Sequence, residues 1–372
     1  MKSKISISCI FESYPVFYQP YMPPVMEALE IEKQLEVSIQ TFKGKASSKV
    51  EVMPGYFRRR VVERWQRLIG YTKIPLQYNE LQALKKKVDL VHVQHSYLFP
   101  KVLGLLAMPK DQGPKIVITL RGGDTYVKPW VSAKWQDFYR DFGNRVDAFV
   151  VMSQHQKQYL HKKWGIDLER IHVIPISFGH AFKASPKAPN SKIIKIVSIF
   201  RMCWEKNIEG NLRVIKLLKE QGLPVKYDVY GDGPDLGQLY YLVDQLGLGD
   251  IVTIKGKVSN TQLKTLLPSY DFILQLSHSE SFGMSVVEAQ SMGIPALVST
   301  SDGLPEAIVP NHSGYCVAPN ASEQASLYID QLWRNKNLYL QFSKAAIDYA
   351  HSNFSVEHEV KRLLTLYQKL SV

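Results

Sequence analysis

Two carboxylates, Glu280 and Glu288, bracket the run Glu280-Ser281-Phe282-Gly283-Met284-Ser285-Val286-Val287-Glu288, with a glycine between them. Asp271–Ser277 ahead of it reads as a buried strand, and Met284–Ser291 reads as a helix stopped by Gly293 and Pro295. Glu280 then lies in the loop leaving the strand, and Glu288 lies just over one turn inside the helix. Helical side chains lean toward the N-terminus, so Glu288 can point back toward the opening that Glu280 faces. The amides around Phe282, Gly283 and Met284 sit at a helix start, where the backbone favours an anion, and Gly283 admits a ligand close to the backbone. Together these groups suit a ligand that is part phosphate and part polyol. On spacing alone, Glu288 also fits an ordinary solvated helix residue, so the rest of the chain has to decide.

The elements that position this run form two alternating series. In the first half, strands are expected at Lys4–Phe11, Glu36–Phe42, Asp89–Gln94, Lys115–Arg121, Ala148–Ser153 and Arg170–Pro175. Helices fall between them, at Pro23–Gln34, Gln77–Lys87, Phe99–Met108, Ala133–Phe142 and Gln154–Trp164. The stretch 184–191, rich in Pro, Ser and Lys, breaks the pattern and reads as a linker. Strand and helix then alternate again from Lys192 to Ser299, and the tail from Ser322 is helical in composition, ending with Val356–Leu370. The expected fold class is α/β: two facing Rossmann-like domains, each a doubly wound parallel sheet, with a cleft between them. The expected division is 1–183, linker 184–191, 192–353, and a last helix 354–372 returning to the first domain.

Composition bounds the possibilities. With 372 residues, 45% hydrophobic and 22% charged, the chain can bury two cores, and no apolar run approaches the roughly 20 residues that span a bilayer. The opening Met1-Lys2-Ser3-Lys4 and its apolar run alternate with serine and lack a small-residue cleavage site, so a first strand is expected rather than a signal peptide. Cys9, Cys203 and Cys316 have neither disulfide nor metal spacing, and a reducing cytoplasm is the expected compartment. Residues 1–190 hold 29 Lys and Arg against 16 Asp and Glu, whereas the remainder holds 17 against 18. The basic residues concentrate in 56–73, among aromatic and aliphatic neighbours, and in 85–87. Such stretches suit either a solvated helix face or the anionic inner face of a membrane. No nucleic-acid motif accompanies them.

Arg201 closes the strand Lys192–Phe200, and Lys206 stands before the next helix. An Arg fork and a Lys point charge at such a place suit a diphosphate. Tyr230-Gly231-Asp232-Gly233-Pro234 follows another strand but lacks the third glycine of a dinucleotide loop, and reads as a tight turn.

These pieces, with Gly256-Lys257-Val258-Ser259, Gly293-Ile294-Pro295, Gly303-Leu304-Pro305-Glu306 and Asn311-His312-Ser313-Gly314, resemble the donor domain of the retaining glycosyltransferases of family 4. The match keeps order and spacing over about 120 residues. The resemblance implies the two-domain GT-B fold. It implies that Arg201 and Lys206 neutralise the diphosphate of a nucleotide sugar and that Glu280 meets hydroxyls of its sugar. Gly231 and the Phe282, Gly283 and Met284 backbone would lie near sugar and phosphate, with Glu288 on the ribose. It implies no cofactor and no metal, since prepositioned cations and amides can stabilise the leaving diphosphate.

In the first half, Tyr14–Met22 resembles the loop of enzymes that build exopolysaccharides, and Asp89–His95 resembles the strand ending in a histidine near the acceptor. Thr119-Leu120-Arg121-Gly122-Gly123-Asp124 falls where many members have His-Gly-x-Asp, with Arg121 in place of the histidine. Arginine cannot serve as a base at neutral pH, so the acceptor-side candidates are His95 and Asp124, with Arg121 itself as a further contact; Asp124 also fits a cap on the following segment, and His92 fits a core histidine. The resulting expectation is a retaining, metal-independent sugar transferase acting on a lipid-linked glycan in bacterial surface polysaccharide synthesis. The alternatives are an epimerase of the same fold and a non-catalytic nucleotide-sugar-binding protein.

Overall fold

The computed structural model describes residues 4–15, 20–55, 57, 61, 64, 66, 74–179, 184–189 and 191–371. The chain divides into two compact units, Met1–Gly179 with Val356–Val372, and His180–Ser355.

The first unit is built on seven strands: β1 (Ile5–Phe11), β2 (Leu35–Thr41), β3 (Val50–Val52), β4 (Leu90–Val93), β5 (Lys115–Thr119), β6 (Ala148–Val151) and β7 (Ile171–Val173). All pairings are parallel, in the order β3-β2-β1-β4-β5-β6-β7. β4, β5 and β6 are Val- and Ile-rich and nearly wholly buried, as strands covered on both faces by crossover helices must be. Helix Val356–Leu370 belongs here: it packs against helix Met22–Ile31, and Tyr367 donates to or accepts from His92 Nδ1 at 2.7 Å.

The second unit carries six parallel strands: β8 (Ile194–Ile199), β9 (Val225–Tyr230), β10 (Val252–Gly256), β11 (Phe272–Gln275), β12 (Ala296–Ser299) and β13 (Gly314–Val317). Their order is β10-β9-β8-β11-β12-β13. Both units are doubly wound. The strand order reverses between β1 and β4 in one and between β8 and β11 in the other, and in open α/β sheets ligands bind beyond the carboxyl ends of such strand pairs.

Three details depart from the sequence expectations. β3 and β13 are additional: β3 has three residues, and β13 follows the turn-rich Asn311-His312-Ser313. Phe99–Met108 is not one helix but a 3₁₀ segment, Ser96–Lys101, followed by a short α-helix, Leu103–Ala107. Pro100 lacks an amide to donate and breaks the ladder there. The second unit begins ahead of 184–191, because Lys187 is tied to it: its backbone amide donates to Ser343 Oγ at 3.0 Å and its ammonium to the carbonyls of Pro268 and Tyr270.

Most of the basic stretch 56–73 lies outside the described residues, as do 16–19 of the Tyr14–Met22 loop; within 56–73 Phe57, Val61 and Arg64 are exposed. Lys85 and Lys86 occupy the last turn of helix Tyr78–Lys86, where cations complement the helix dipole, and Lys86 pairs with Glu51 at 2.7 Å. Among the described residues no helix is long and apolar enough to cross a membrane.

Candidate functional site

The second unit gathers its candidates at the ends of β8 and β11, the two central strands where its topology reverses. Arg201 follows β8 and is exposed. Its loop is laced to the turn after β9: Phe200 N donates to Tyr230 O at 3.1 Å, Met202 N to Asp232 O at 3.0 Å, and Asp235 N to Met202 O at 3.0 Å. This close approach explains both glycines of the turn. A Cβ on Gly231, whose φ is +128°, would lie 1.9 Å from Phe200 O, and one on Gly233 would lie 2.1 Å from Met202 O.

Lys206 ends a 3₁₀ turn, and two asparagines join that turn to β11. Asn207, in the left-handed region at φ 49°, caps helix Ile208–Glu220 by accepting from Gly210 N at 3.0 Å. Its amide also donates to Leu276 O and Pro319 O, each at 2.8 Å. Asn211 donates to Lys206 O at 2.9 Å and accepts from Leu276 N at 3.0 Å. The backbone on either side of Lys206 is therefore held against the strand that delivers Glu280.

Glu280 accepts from the Lys206 ammonium and from Gln275 Nε2 at 2.8 Å, and Gln275 Oε1 accepts from Ser285 Oγ at 2.9 Å. Both charged side chains are only 16% exposed. Asp302, itself at φ 47°, accepts from Ser279 Oγ at 2.5 Å and from Glu280 N at 3.2 Å, fixing the loop. Phe282 is buried against Phe354, at 5.0 Å between ring centroids. Gly283, at φ 97°, opens helix Met284–Ser291, whose first amides have no intrahelical acceptor; a Cβ there would sit 2.5 Å from Leu304 Cδ1.

Glu288 has a separate set of partners. Its carboxylate accepts from Asn260 Nδ2 at 2.6 Å, and burial raises its pKa against the opposing pull of Lys264 and Asn260. Asn260 opens a helix whose cap, Ser259, forms a capping box with Gln262.

In the first unit, His95 follows β4 and is 5% exposed, with its ring stacked on Tyr97 at 5.4 Å. Burial, and next the Arg121 charge, push its pKa down to about 4, so it is neutral at pH 7. His92 is more deeply placed, bonded to Tyr367 and to Thr119 Oγ1 at 2.8 Å, with its pKa pushed down to about 3 by burial and then by Arg121. Arg121 turns its guanidinium toward Gln94 O (3.3 Å), Met22 Sδ (3.1 Å) and the Tyr21 ring (5.4 Å). The Asp124 carboxylate accepts from the amides of Arg121 and Gly122, each at 2.9 Å, from Thr125 Oγ1 at 3.2 Å, and from Ser96 Oγ. It organises the turn between β5 and the following helix.

Sequence reasoning did not single out Gln275, Asn260 or Asp302, and it met Asn207 only as the neighbour of Lys206 in the resembling motif. A signal existed for two of them: Gln275 is the one polar residue in Phe272-Ile273-Leu274-Gln275-Leu276, and Ser259-Asn260-Thr261-Gln262 carries the capping-box spacing. Among the described residues, no three His, Cys, Asp or Glu side chains group so as to hold a metal ion.

Two sequence-family descriptions match the chain: "Glycosyl transferases group 1" over residues 181–349 and "Glycosyltransferase Family 4" over residues 28–176. Similar curated proteins include WcaL of Escherichia coli (strain K12), named as a colanic acid biosynthesis glycosyltransferase, 27% identical over 42% of this chain and 38% of that protein. The D-inositol 3-phosphate glycosyltransferase of Mycolicibacterium gilvum is 27% identical over 78% of this chain and 63% of that protein. The chain thus spans less than two thirds of each of these relatives. Among solved structures, a glycosyltransferase from Rickettsia africae has a TM-score of 0.74 at 20% identity, covering 99% of this chain and 98% of its own. Anabaena Alr3699/HepE, solved with UDP and glucose, has a TM-score of 0.73 at 15% identity, covering 98% and 99%. At these identities the likeness is one of fold, the GT-B fold of two parallel-sheet units.

Proposed function

The chain belongs to the family 4 glycosyltransferases, and from that premise we propose that it moves a hexose or related sugar from a nucleoside diphosphate to a glycan acceptor, with retention of configuration and without a metal. The single observation that carries this reading is the Lys206–Glu280–Gln275 cluster beside the exposed Arg201, at the ends of β8 and β11. In this reading Arg201 and Lys206 bind the diphosphate, Glu280 accepts from sugar hydroxyls while Gln275 keeps it oriented, and Glu288 takes the ribose. The Gly283 and Met284 amides face the developing negative charge. The bond from the anomeric carbon to the diphosphate breaks with its electron pair leaving on oxygen. That oxygen accepts the proton of the acceptor hydroxyl, and the new glycosidic bond forms on the same face. No protein nucleophile is needed.

Acceptor contacts are assigned to the neutral His95 and its neighbourhood, with Arg121 and Asp124 holding the loop. The proposed setting is bacterial surface polysaccharide synthesis on a lipid-linked glycan, at the cytoplasmic face of a membrane. What supports it is the basic first half of the sequence and the name of the WcaL relative.

The test is thermal melting against a panel of nucleoside diphosphates and nucleotide sugars, with EDTA present, for the native chain and for Glu280→Ala and Arg201→Ala. A ligand at about a hundred times its Kd stabilises the native state by about 2.7 kcal/mol. One nucleotide raising the melting temperature, with the rise lost in both variants, is expected. Turnover with that donor should give a product whose anomeric proton coupling matches the donor's; an inverted anomer would overturn retention.

A further inference from the structure

In the first unit, helix Gln154–Trp164, the edge strand β7 and helix Val356–Leu370 enclose a groove of about 530 Å³, lined by no residue given a role above. Its lining contains Lys157, Lys361, Arg362 and Lys369, with His172 and His358, and not one Asp or Glu; Lys369 and His172 also border an adjoining groove that holds Asp147, Asp167 and Glu169. Lys361 and Lys369 lie two turns apart on one stripe of the last helix, with Thr365 between them, while Val360, Leu363 and Tyr367 on another stripe are buried. Of the two acids that precede Lys361 on this helix, Glu359 is turned inward, where it accepts from Ser177 N at 2.7 Å, and Glu357, one turn from Lys361, is exposed and outside the lining. Among the described residues none of the three lysines is in an ion pair. The half-buried His172, on β7, senses this field: its pKa is lowered by burial first, then by Lys369 and Lys157. The floor is apolar, with Ile171 and Leu366 both buried.

Three ammonium groups and the Arg362 guanidinium around a concave wall of low polarity focus a positive potential that attracts an anion with several oxygens. We propose that this groove is a binding site for a phosphate-bearing ligand, whose phosphate oxygens lie among Lys157, Lys361 and Lys369 and whose less polar portion rests on Ile171 and Leu366. The site is separate from the phosphate contacts proposed after β8, and it does not depend on them.

The experiment uses the full chain carrying Arg201→Ala and Lys206→Ala, so that those cations do not contribute. Inorganic pyrophosphate is titrated calorimetrically, and vesicles of phosphatidylcholine with or without phosphatidylglycerol are co-sedimented. Each is repeated after adding Lys157→Gln, Lys361→Gln and Lys369→Gln, and after the Arg substitutions at the same three positions. The Gln set should weaken binding by at least about tenfold, the size of one lost charge-assisted contact, while the Arg set retains it. Loss of pyrophosphate binding identifies a soluble phosphate ligand; loss confined to phosphatidylglycerol vesicles identifies a lipid headgroup. Unchanged affinity for both probes in the Gln set, with unchanged melting temperature, overturns the proposal. If the Gln set melts early, protection of Lys361 and Lys369 from acetylation by either probe replaces it, and no protection overturns the site.

Discussion

Glu280 holds two partners, Lys206 and Gln275, and only one of them is a cation that a diphosphate would claim. In the proposed reading, in which Lys206 turns to phosphate, the neutral Gln275 is what keeps the carboxylate aimed. Gln275→Leu should therefore lower kcat/KM by about tenfold or more, the loss of one charge-assisted hydrogen bond, with most of the fall in kcat. The variant's melting curve distinguishes this from unfolding, and Gln275→Glu, which sets two carboxylates together, should be worse. A Gln275→Leu enzyme with unchanged kcat would remove Gln275 from the site. Glu288 shows the opposite economy of contacts: it is buried, with Asn260 supplying a hydrogen bond at 2.6 Å and Lys264 a nearby positive charge.

Among the elements, the turns after the central strands carry the candidate site, and their backbone geometry leaves little latitude. Gly231→Ala would drive a methyl into Phe200 O and disfavour φ +128°. It should shift the Arg201 loop, seen as weaker nucleotide-induced thermal stabilisation and a lower melting temperature; a variant indistinguishable from the native chain in both would contradict this geometry. Helix Tyr78–Lys86 offers a pH test. Glu80 reaches back to Gln77 N in its capping box and accepts from Leu105 N at 2.9 Å, and burial pushes its pKa up from 4.5 to about 7. A raised folded-state pKa means that this group's stabilisation is full below pH 4.5 and is lost as pH rises through about 7. Glu80→Gln should flatten the stability slope across that window, whatever its constant offset. Melting temperatures measured from pH 4 to 8 (roughly the span of the shift) would read the slope directly.

For the whole molecule, the two units need not lose structure together, because the last helix belongs to the first unit alone. Leu363 is 4% exposed on that helix, and Leu363→Ala should cost about 2–5 kcal/mol in cavity and transfer terms. Hydrogen exchange should accelerate in β1, β4 and helix Met22–Ile31 while amides of β8 and β11 keep their protection. Equal acceleration in both units would show one cooperative block instead.

The alternation of apolar runs with helical segments made both doubly wound sheets legible, because buried parallel strands must be continuously apolar and their crossovers amphipathic. The loop positions of Arg201, Lys206 and Glu280 were legible for the same reason: they sit at the ends of runs whose period changes. The three-residue β3 was not, since a strand that short is specified by its neighbour's open edge rather than by its own pattern. Nor were the pairing of Lys206 with Glu280, the Gln275 bridge, or the Asn260–Glu288 bond. Each joins residues delivered by different elements or by a bend in one, and no period in a linear chain encodes which polar groups converge when strands of distant sequence become neighbours. Asp124 makes the contrast sharpest: its motif position admitted either an acceptor contact or a cap on the following segment, and only the fold shows its carboxylate engaged with two backbone amides and two hydroxyls.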